Sequence, residues 1–392
     1  MPDCRWITLA ELEDRQVEWR QLVLGSGFPT AYGDPAWILA WWQQYGEGYE
    51  PWSLAMEDRD GSLRAIALLA RSRSPFARKL TFAGDSWNGL ENLICAPGAE
   101  AEFSAGLTDA LGERRREWDV WRIQRLPTAS LLARTLLDGG GPLRAAAHDL
   151  RLQPFLDLPA DIDAFEERFG TKQRSTQRRK WRRLIELGAV ARLVSDPDEV
   201  DSTMHVLVEQ RRTRAISQGQ RYKHMDARFE RFLLAAVGRL LPAGARLWIL
   251  ELDGSVLASR LNLIQGPREH SYLLGLGGGH ANLSPGSSLE HHAIHEAIRE
   301  GRTELDLGPG RDAYKYRLRA RDRELTRLVV SSGSLRGRSV TGLSAADLRL
   351  RNTGAADVLR RRRGLTPERL TAAPPRKDAQ RSESATSKSG SS

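Results

Sequence analysis

The feature that most constrains this chain is a hairpin signature that occurs twice. Trp52 to Glu57 is a short strand-like run, Asp60-Gly61 a turn, and Leu63 to Leu69 an apolar return strand. The same order recurs in Trp248 to Leu252, Asp253-Gly254 and Val256 to Leu263. Asp-Gly supplies the backbone angles a tight hairpin needs. In both copies a Ser follows the Gly, and an Ala sits a few residues on, at Ala65 and Ala258. A chain of 392 residues has room for two to three domains. The repeat therefore predicts two related units of α/β (α+β) class, each a mixed, mostly antiparallel sheet flanked by helices.

The surrounding pattern fits that reading. Pro35 to Tyr45 carries Trp37, Leu39, Trp41, Trp42 and Tyr45 and predicts a helix on the first sheet. Gly139–Gly141, Pro142, Pro154 and Pro159 punctuate the chain, so a split is expected near 141–160, with domains at 1–150 and 151–345. In the second domain, helices are expected over 161–188 (N-cap Asp161, stop at Gly188), 197–218, 227–240 and 288–301. Strands are expected over 246–252, 256–265, 269–276, 303–307 and 325–331. A terminal helix over 346–363, weakened at Gly354, precedes a basic tail at 364–392. The tail holds no aromatic residue and many Ser, Arg and Pro, and is expected to be disordered.

Composition removes several function classes. Cys4 and Cys95 are the only cysteines, which excludes a disulfide scaffold and a Cys-ligated zinc site. No apolar run reaches the ~18 residues of a spanning helix. Met1 to Glu13 lacks the apolar core of a signal peptide. A reducing, cytoplasmic setting is expected, with membrane contact at the inner face at most. The net charge of +9 is unevenly placed: residues 172–183 (KQRSTQRRKWRR) hold seven basic residues and no acid, and Arg360–Arg363 and Lys315–Arg327 form further clusters. Such runs suit nucleic acid, an acidic cofactor or anionic lipid, or are simply solvated helix faces.

The segment richest in site signals runs from Tyr272 to Tyr316. A strand ends at Leu276 and Gly277–Gly279 follow. Ser284, Pro285, Gly286, Ser287 and Ser288 then open a helix whose free N–H groups suit a pyrophosphate, or which is an ordinary turn and N-cap. Neither a nucleotide-triphosphate loop nor a dinucleotide fingerprint is present. His291 and His295 are four apart, but no third ligand can be named from the sequence, and no metal is expected. Asp306, between Leu305 and Leu307, reads as structural or as a general base. Tyr314 and Lys315 follow the Gly308–Gly310 turn and suit an anionic or polar substrate, or protonation of a leaving thiolate.

These residues resemble the CelD/BcsL-like acetyltransferase family, a branch of the GNAT superfamily similar in build to the Fem proteins, which transfer aminoacyl groups to peptidoglycan. The resemblance rests on Ser175 with Arg178, Arg179 and Trp181–Leu184, Val206-Leu207 with Arg211, and the Leu247–Ala258 hairpin. Its strongest parts are Leu283–Gly286 with Leu289, and Leu305–Gly310 leading to Tyr314-Lys315. It departs from the family at Gly277–Ala281, where an Asp-containing turn is usual. The resemblance implies tandem GNAT-like domains, the first degenerate and the second holding acetyl-CoA or another acyl-CoA. It also implies acyl transfer to an amine or hydroxyl, in a small molecule, a saccharide or a cell-envelope precursor. Ser284 to Ser288 would hold the cofactor, Asp306, Tyr314 and Lys315 would serve catalysis, and Arg211, Tyr272 and His291 would bind substrate. Peripheral association with a membrane synthesis complex fits the resemblance. A Fem-like transferase using charged tRNA and a non-catalytic scaffold are the alternatives.

Overall fold

The computed structural model describes residues 3–28, 31–74, 77–85, 87–139, 143–217, 225–334 and 337. The expected helix at 346–363 and tail at 364–392 lie outside them. The first half contains β1 (Asp3–Ile7), α1 (Leu9–Asp14), α2 (Gln16–Gly25), α3 (Pro35–Tyr45), β2 (Tyr49–Pro51), β3 (Ser53–Glu57), β4 (Leu63–Ala67), β5 (Leu69–Ser72), β6 (Lys79–Phe82), β7 (Ile94–Cys95), α4 (Glu100–Glu113), β8 (Val120–Pro127) and α5 (Leu131–Leu137). The second contains β9 (Arg144–Asp157), α6 (Ile162–Glu166), α7 (Thr171–Glu186), β10 (Val190–Val194), α8 (Pro197–Ser217), α9 (Ala227–Leu240), β11 (Ala245–Leu252), β12 (Ser255–Gln265), β13 (Arg268–Leu276), α10 (Pro285–Arg299), β14 (Glu304–Asp306), α11 (Ala313–Arg317) and β15 (Arg321–Ser331).

Both repeated hairpins form, as β3–β4 and β11–β12. The likeness goes beyond the turn. Ala65 pairs with Met56 and Ala258 with Leu250, both alanines are fully buried, and each hairpin slips register just after that pair, at Met56/Glu57 and at Leu250/Glu251. A bulge at the same place in both copies kinks each ribbon alike.

The strands form a small sheet ordered β1-β3-β4-β7 and a large one ordered β10-β11-β12-β13-β14-β9-β15-β8-β6-β5-β2. The large sheet draws on both halves. Its seam is β15, which pairs with β9 on one side and β8 on the other. β9 occupies the stretch read as a linker, and the expected 150/151 boundary falls inside it. Pro154 does not break it, because Pro154 lies near the end of the β15 pairing and its carbonyl still accepts from Leu307.

Aromatic packing also joins the halves. The Trp37 ring of α3 meets Phe232 of α9 at 4.8 Å and Tyr272 of β13 at 4.9 Å, both edge-on. Asn88 accepts from the Trp37 indole at 3.0 Å, so the buried N–H is satisfied. The tryptophans of the first half therefore serve its core and this seam.

The expected helix at 161–188 divides in two. Asp161 caps α6, accepting from Ala164 N–H at 2.7 Å. The chain then breaks at Gly170, which has extended angles, and restarts as α7. From α7, Gln177 and Lys180 reach the start of α10.

Candidate active site

β13 and β14 run parallel but pair only across Arg268–His270 and Glu304–Asp306. Beyond His270, β13 continues to Leu276 bonded to β12 alone, while the chain after Asp306 turns away through Gly308 at φ 72°. A wedge opens between the two strands, and one edge of β13 has no strand partner there among the described residues.

The N-terminus of α10 lies at the end of β13. A Cβ on Gly286 would sit 2.2 Å from Leu276 Cδ2, so the first turn of α10 lies close against the Leu276 side chain, and a larger residue at 286 requires that side chain to shift. Two non-glycine residues ahead of the helix, His280 and Ser284, have left-handed angles (φ 46° and 51°). That conformation is costly for them and is held by the surrounding structure. Among the described residues, the N–H groups of Gly286 and Ser287 have no hydrogen-bond partner, whereas Ser288 N–H bonds to Ser284 C=O. The Ser288 hydroxyl is buried and donates to Leu283 C=O at 3.3 Å, which makes it a cap of the turn. From α7, Lys180 Nζ donates to Ser284 Oγ at 2.8 Å and Gln177 donates to Ser287 C=O at 3.4 Å. Two free N–H groups, a helix dipole and a lysine thus converge on one spot, which is the chemistry of a phosphate cradle.

The side chains beneath α10 are polar. Arg260 on β12 is fully buried. It donates to Glu290 of α10 at 2.9 Å and to Asn262 at 2.9 Å, and Asn262 in turn donates to Glu269. Tyr314 lies within electrostatic reach of this pair and of Arg211. Burial and the nearby Glu290 carboxylate push its phenol well above the usual range, with Arg260 opposing. Tyr314 therefore keeps its proton at neutral pH. Arg211, half-buried on α8, has no hydrogen-bond or ion-pair partner among the described residues.

Asp306 and Lys315 hold the loop that carries Tyr314. The Asp306 carboxylate is buried and accepts from Gln153 at 2.8 Å, Gly308 N–H at 2.7 Å and Arg323 at 2.9 Å. Burial raises its pKa, and Arg323 opposes the rise. Lys315 Nζ donates to the carbonyls of Gly308, Pro309 and Gly310 at 3.0, 2.8 and 3.1 Å. Burial lowers the pKa of this ammonium, and Asp312 works against that.

The sequence-expected residues thus fall into four places. Ser284 to Ser288 lie together at the start of α10, around its free N–H groups. Asp306, Tyr314, Lys315 and Arg211 gather around the wedge. Tyr272 turns into the aromatic seam against Trp37 and Tyr32 (ring centroids 6.1 Å apart for the latter). His291 stands apart from Tyr314, bonded to Glu166 of α6 at 3.0 Å. Sequence reading missed Arg260, Glu290, Lys180 and Glu166. Arg260 and Asn262 were findable: two polar residues two apart within an apolar strand share one face, and a buried arginine requires a partner.

The chain is similar to known proteins in one segment and in its fold. Residues 171–316 match the family described as Acetyltransferase (GNAT) domain. No curated protein matches the sequence. The fold is similar to the crystal structure of FemX (TM-score 0.61, 12% identity, covering 83% of this chain and 96% of that one). It is also similar to a conserved protein of unknown function from Bacteroides thetaiotaomicron (TM-score 0.54, 11% identity, 84% and 100% covered). The match marks residues 171–316 as a GNAT acetyltransferase domain, set in a chain whose fold is similar to that of FemX. The matched segment runs from the start of α7 to Tyr316 and so holds the cradle, the wedge and Tyr314. Among the described residues, no helix is long and apolar enough to cross a membrane.

Proposed function

We propose that this chain transfers an acetyl or other acyl group from a CoA thioester, bound at the start of α10, to an amine or hydroxyl of a saccharide or cell-envelope precursor. The observation that carries the reading is the closure of α7 on the α10 N-terminus at the mouth of the β13/β14 wedge. The donor set fits the cofactor: Gly286 and Ser287 N–H with Lys180 suit a pyrophosphate. The unpaired edge of β13 offers backbone groups of the kind that amides of a pantetheine arm can meet. The acyl-CoA supplies an activated acyl group, so no covalent protein nucleophile is required.

The chain's own residues then orient and protonate. Tyr314, still protonated at neutral pH, is the general acid for a leaving thiolate. Arg211, without a partner, holds an anionic or polyhydroxyl acceptor. Asp306 and Lys315 act through Tyr314, by fixing its loop. The saccharide acceptor follows the CelD/BcsL resemblance, and so does a division into domains at 1–150 and 151–345.

One observation favours a second reading. Arg178, Arg179, Arg182 and Arg183 all face solvent on α7, as a surface for the tRNA of a Fem-like aminoacyl transferase would. A thiol-release screen with acetyl-CoA over amines, sugars and lipid-linked saccharides separates the two. Release with a saccharide acceptor supports the first reading. No release with any acceptor, together with tight tRNA binding, overturns it in favour of the second.

A further inference from the structure

A second cluster lies on the other side of α10, where the chemistry above makes no use of it. His291 and His295, four residues apart, present one face of α10. Glu166, at the end of α6, meets both: its Oε1 lies 3.0 Å from His291 Nε2 and 3.0 Å from His295 Nε2. The three ligand atoms all lie within 4.8 Å of one another. The rings are held by aromatic packing. Phe165 contacts both, at 5.6 and 6.1 Å between centroids, and Phe169 contacts His291 at 5.7 Å. Beside the cluster is a cavity of about 140 Å³ lined by Glu166, His291, His295, Gln177, Arg178 and Ser288.

We propose that Glu166, His291 and His295 form a binding site for a zinc-class divalent transition metal, with an open coordination position facing this cavity. Two imidazoles and one carboxylate are the donor set that such ions accept with a free position. Bonds of about 2.0–2.1 Å in a tetrahedral shell place ligand atoms roughly 3.3 Å apart. The observed spacing approaches that, so modest side-chain movement closes the shell. The cavity has room for a water molecule as fourth ligand. The bound ion ties α6 to the helix that carries the cradle. This inference does not depend on the acyl-CoA reading, since metal binding is measured without cofactor.

The test uses the full chain, stripped with a chelator and titrated with Zn²⁺ by calorimetry and with Co²⁺ by visible absorption. One metal per chain is expected, with a Co²⁺ spectrum of four- or five-coordinate geometry. His295→Gln and Glu166→Gln should each weaken binding at least tenfold. His205→Ala should leave it unchanged, since His205 pairs with Glu230 on the surface without a third ligand. X-ray absorption on the zinc-loaded wild-type protein should show two imidazole nitrogens, a readout that requires no variant to fold. Absence of stoichiometric binding, equal binding in the variants, or a shell without two imidazoles would overturn the site and leave Glu166 as a hydrogen-bond acceptor for two histidines.

Discussion

Lys180 on α7 donates to the Ser284 hydroxyl at 2.8 Å, and this contact places a cation beside the two free N–H groups at the start of α10. Removing it should weaken the cradle without unfolding the domain, because Lys180 is only half-buried. Lys180→Ala is expected to raise the Kd for acetyl-CoA about five- to thirtyfold, the range of a charge-assisted hydrogen bond of ~1–2 kcal/mol. Calorimetry at two salt concentrations checks it, and the wild-type advantage should shrink as salt rises.

In the proposed reaction Tyr314 protonates the leaving thiolate. Tyr314→Phe keeps the ring and removes the proton. It is expected to lower kcat by about 10²–10⁴ while leaving acetyl-CoA affinity within a factor of about two. Single-turnover thiol release together with binding measures both quantities.

Arg260 and Glu290 form a buried ion pair at 2.9 Å. Truncating one partner strands the other charge. Glu290→Ala is therefore expected to destabilise the fold by about 3–5 kcal/mol, and the double variant Arg260→Met/Glu290→Leu by much less. Urea denaturation of the three proteins gives the comparison.

His270 sets a pH dependence. It is buried, neither ring nitrogen has a hydrogen-bond partner among the described residues, and burial lowers its pKa to about 3. Below pH ~6.5 the unfolded chain takes up a proton that the folded chain refuses, so stability falls on acidification. The contribution is fully present above that pH, and is lost at about 1.4 kcal/mol per unit down towards the folded value. His270→Leu should flatten the stability profile by that slope between pH 6 and 4, read from urea midpoints.

Much of this was legible in the sequence where local chemistry is decisive. The Asp-Gly turns, the Asp161 cap and the stop at Gly188 act within a few residues, and Asp306 to Lys315 is a self-contained loop. What sequence could not supply was non-local. β9 alternates charged and apolar residues around Pro154 and reads as a linker until β15 pairs with it. Glu166 is more than a hundred residues from His291, so the histidine pair had no visible third partner. The contact between Lys180 and Ser284 depends on the break at Gly170, whose angles periodicity does not encode. Asp306 and Lys315 look catalytic in sequence because they flank glycines. In space Lys315 donates to the loop carbonyls, and Asp306 accepts from Gln153 and Arg323 as well as from Gly308 N–H.

The most direct test of the central claim is a calorimetric titration of the wild-type protein and Gly286→Phe with acetyl-CoA. A side chain at 286 meets Leu276 Cδ2, 2.2 Å from the position of its Cβ, and a phenyl group there crowds the first turn of α10 and its free N–H groups. The account predicts saturable one-to-one binding by the wild type, and at least a tenfold loss in a variant that retains its circular dichroism spectrum. Failure of the wild type to bind any CoA thioester, or unchanged affinity in folded Gly286→Phe, would contradict it.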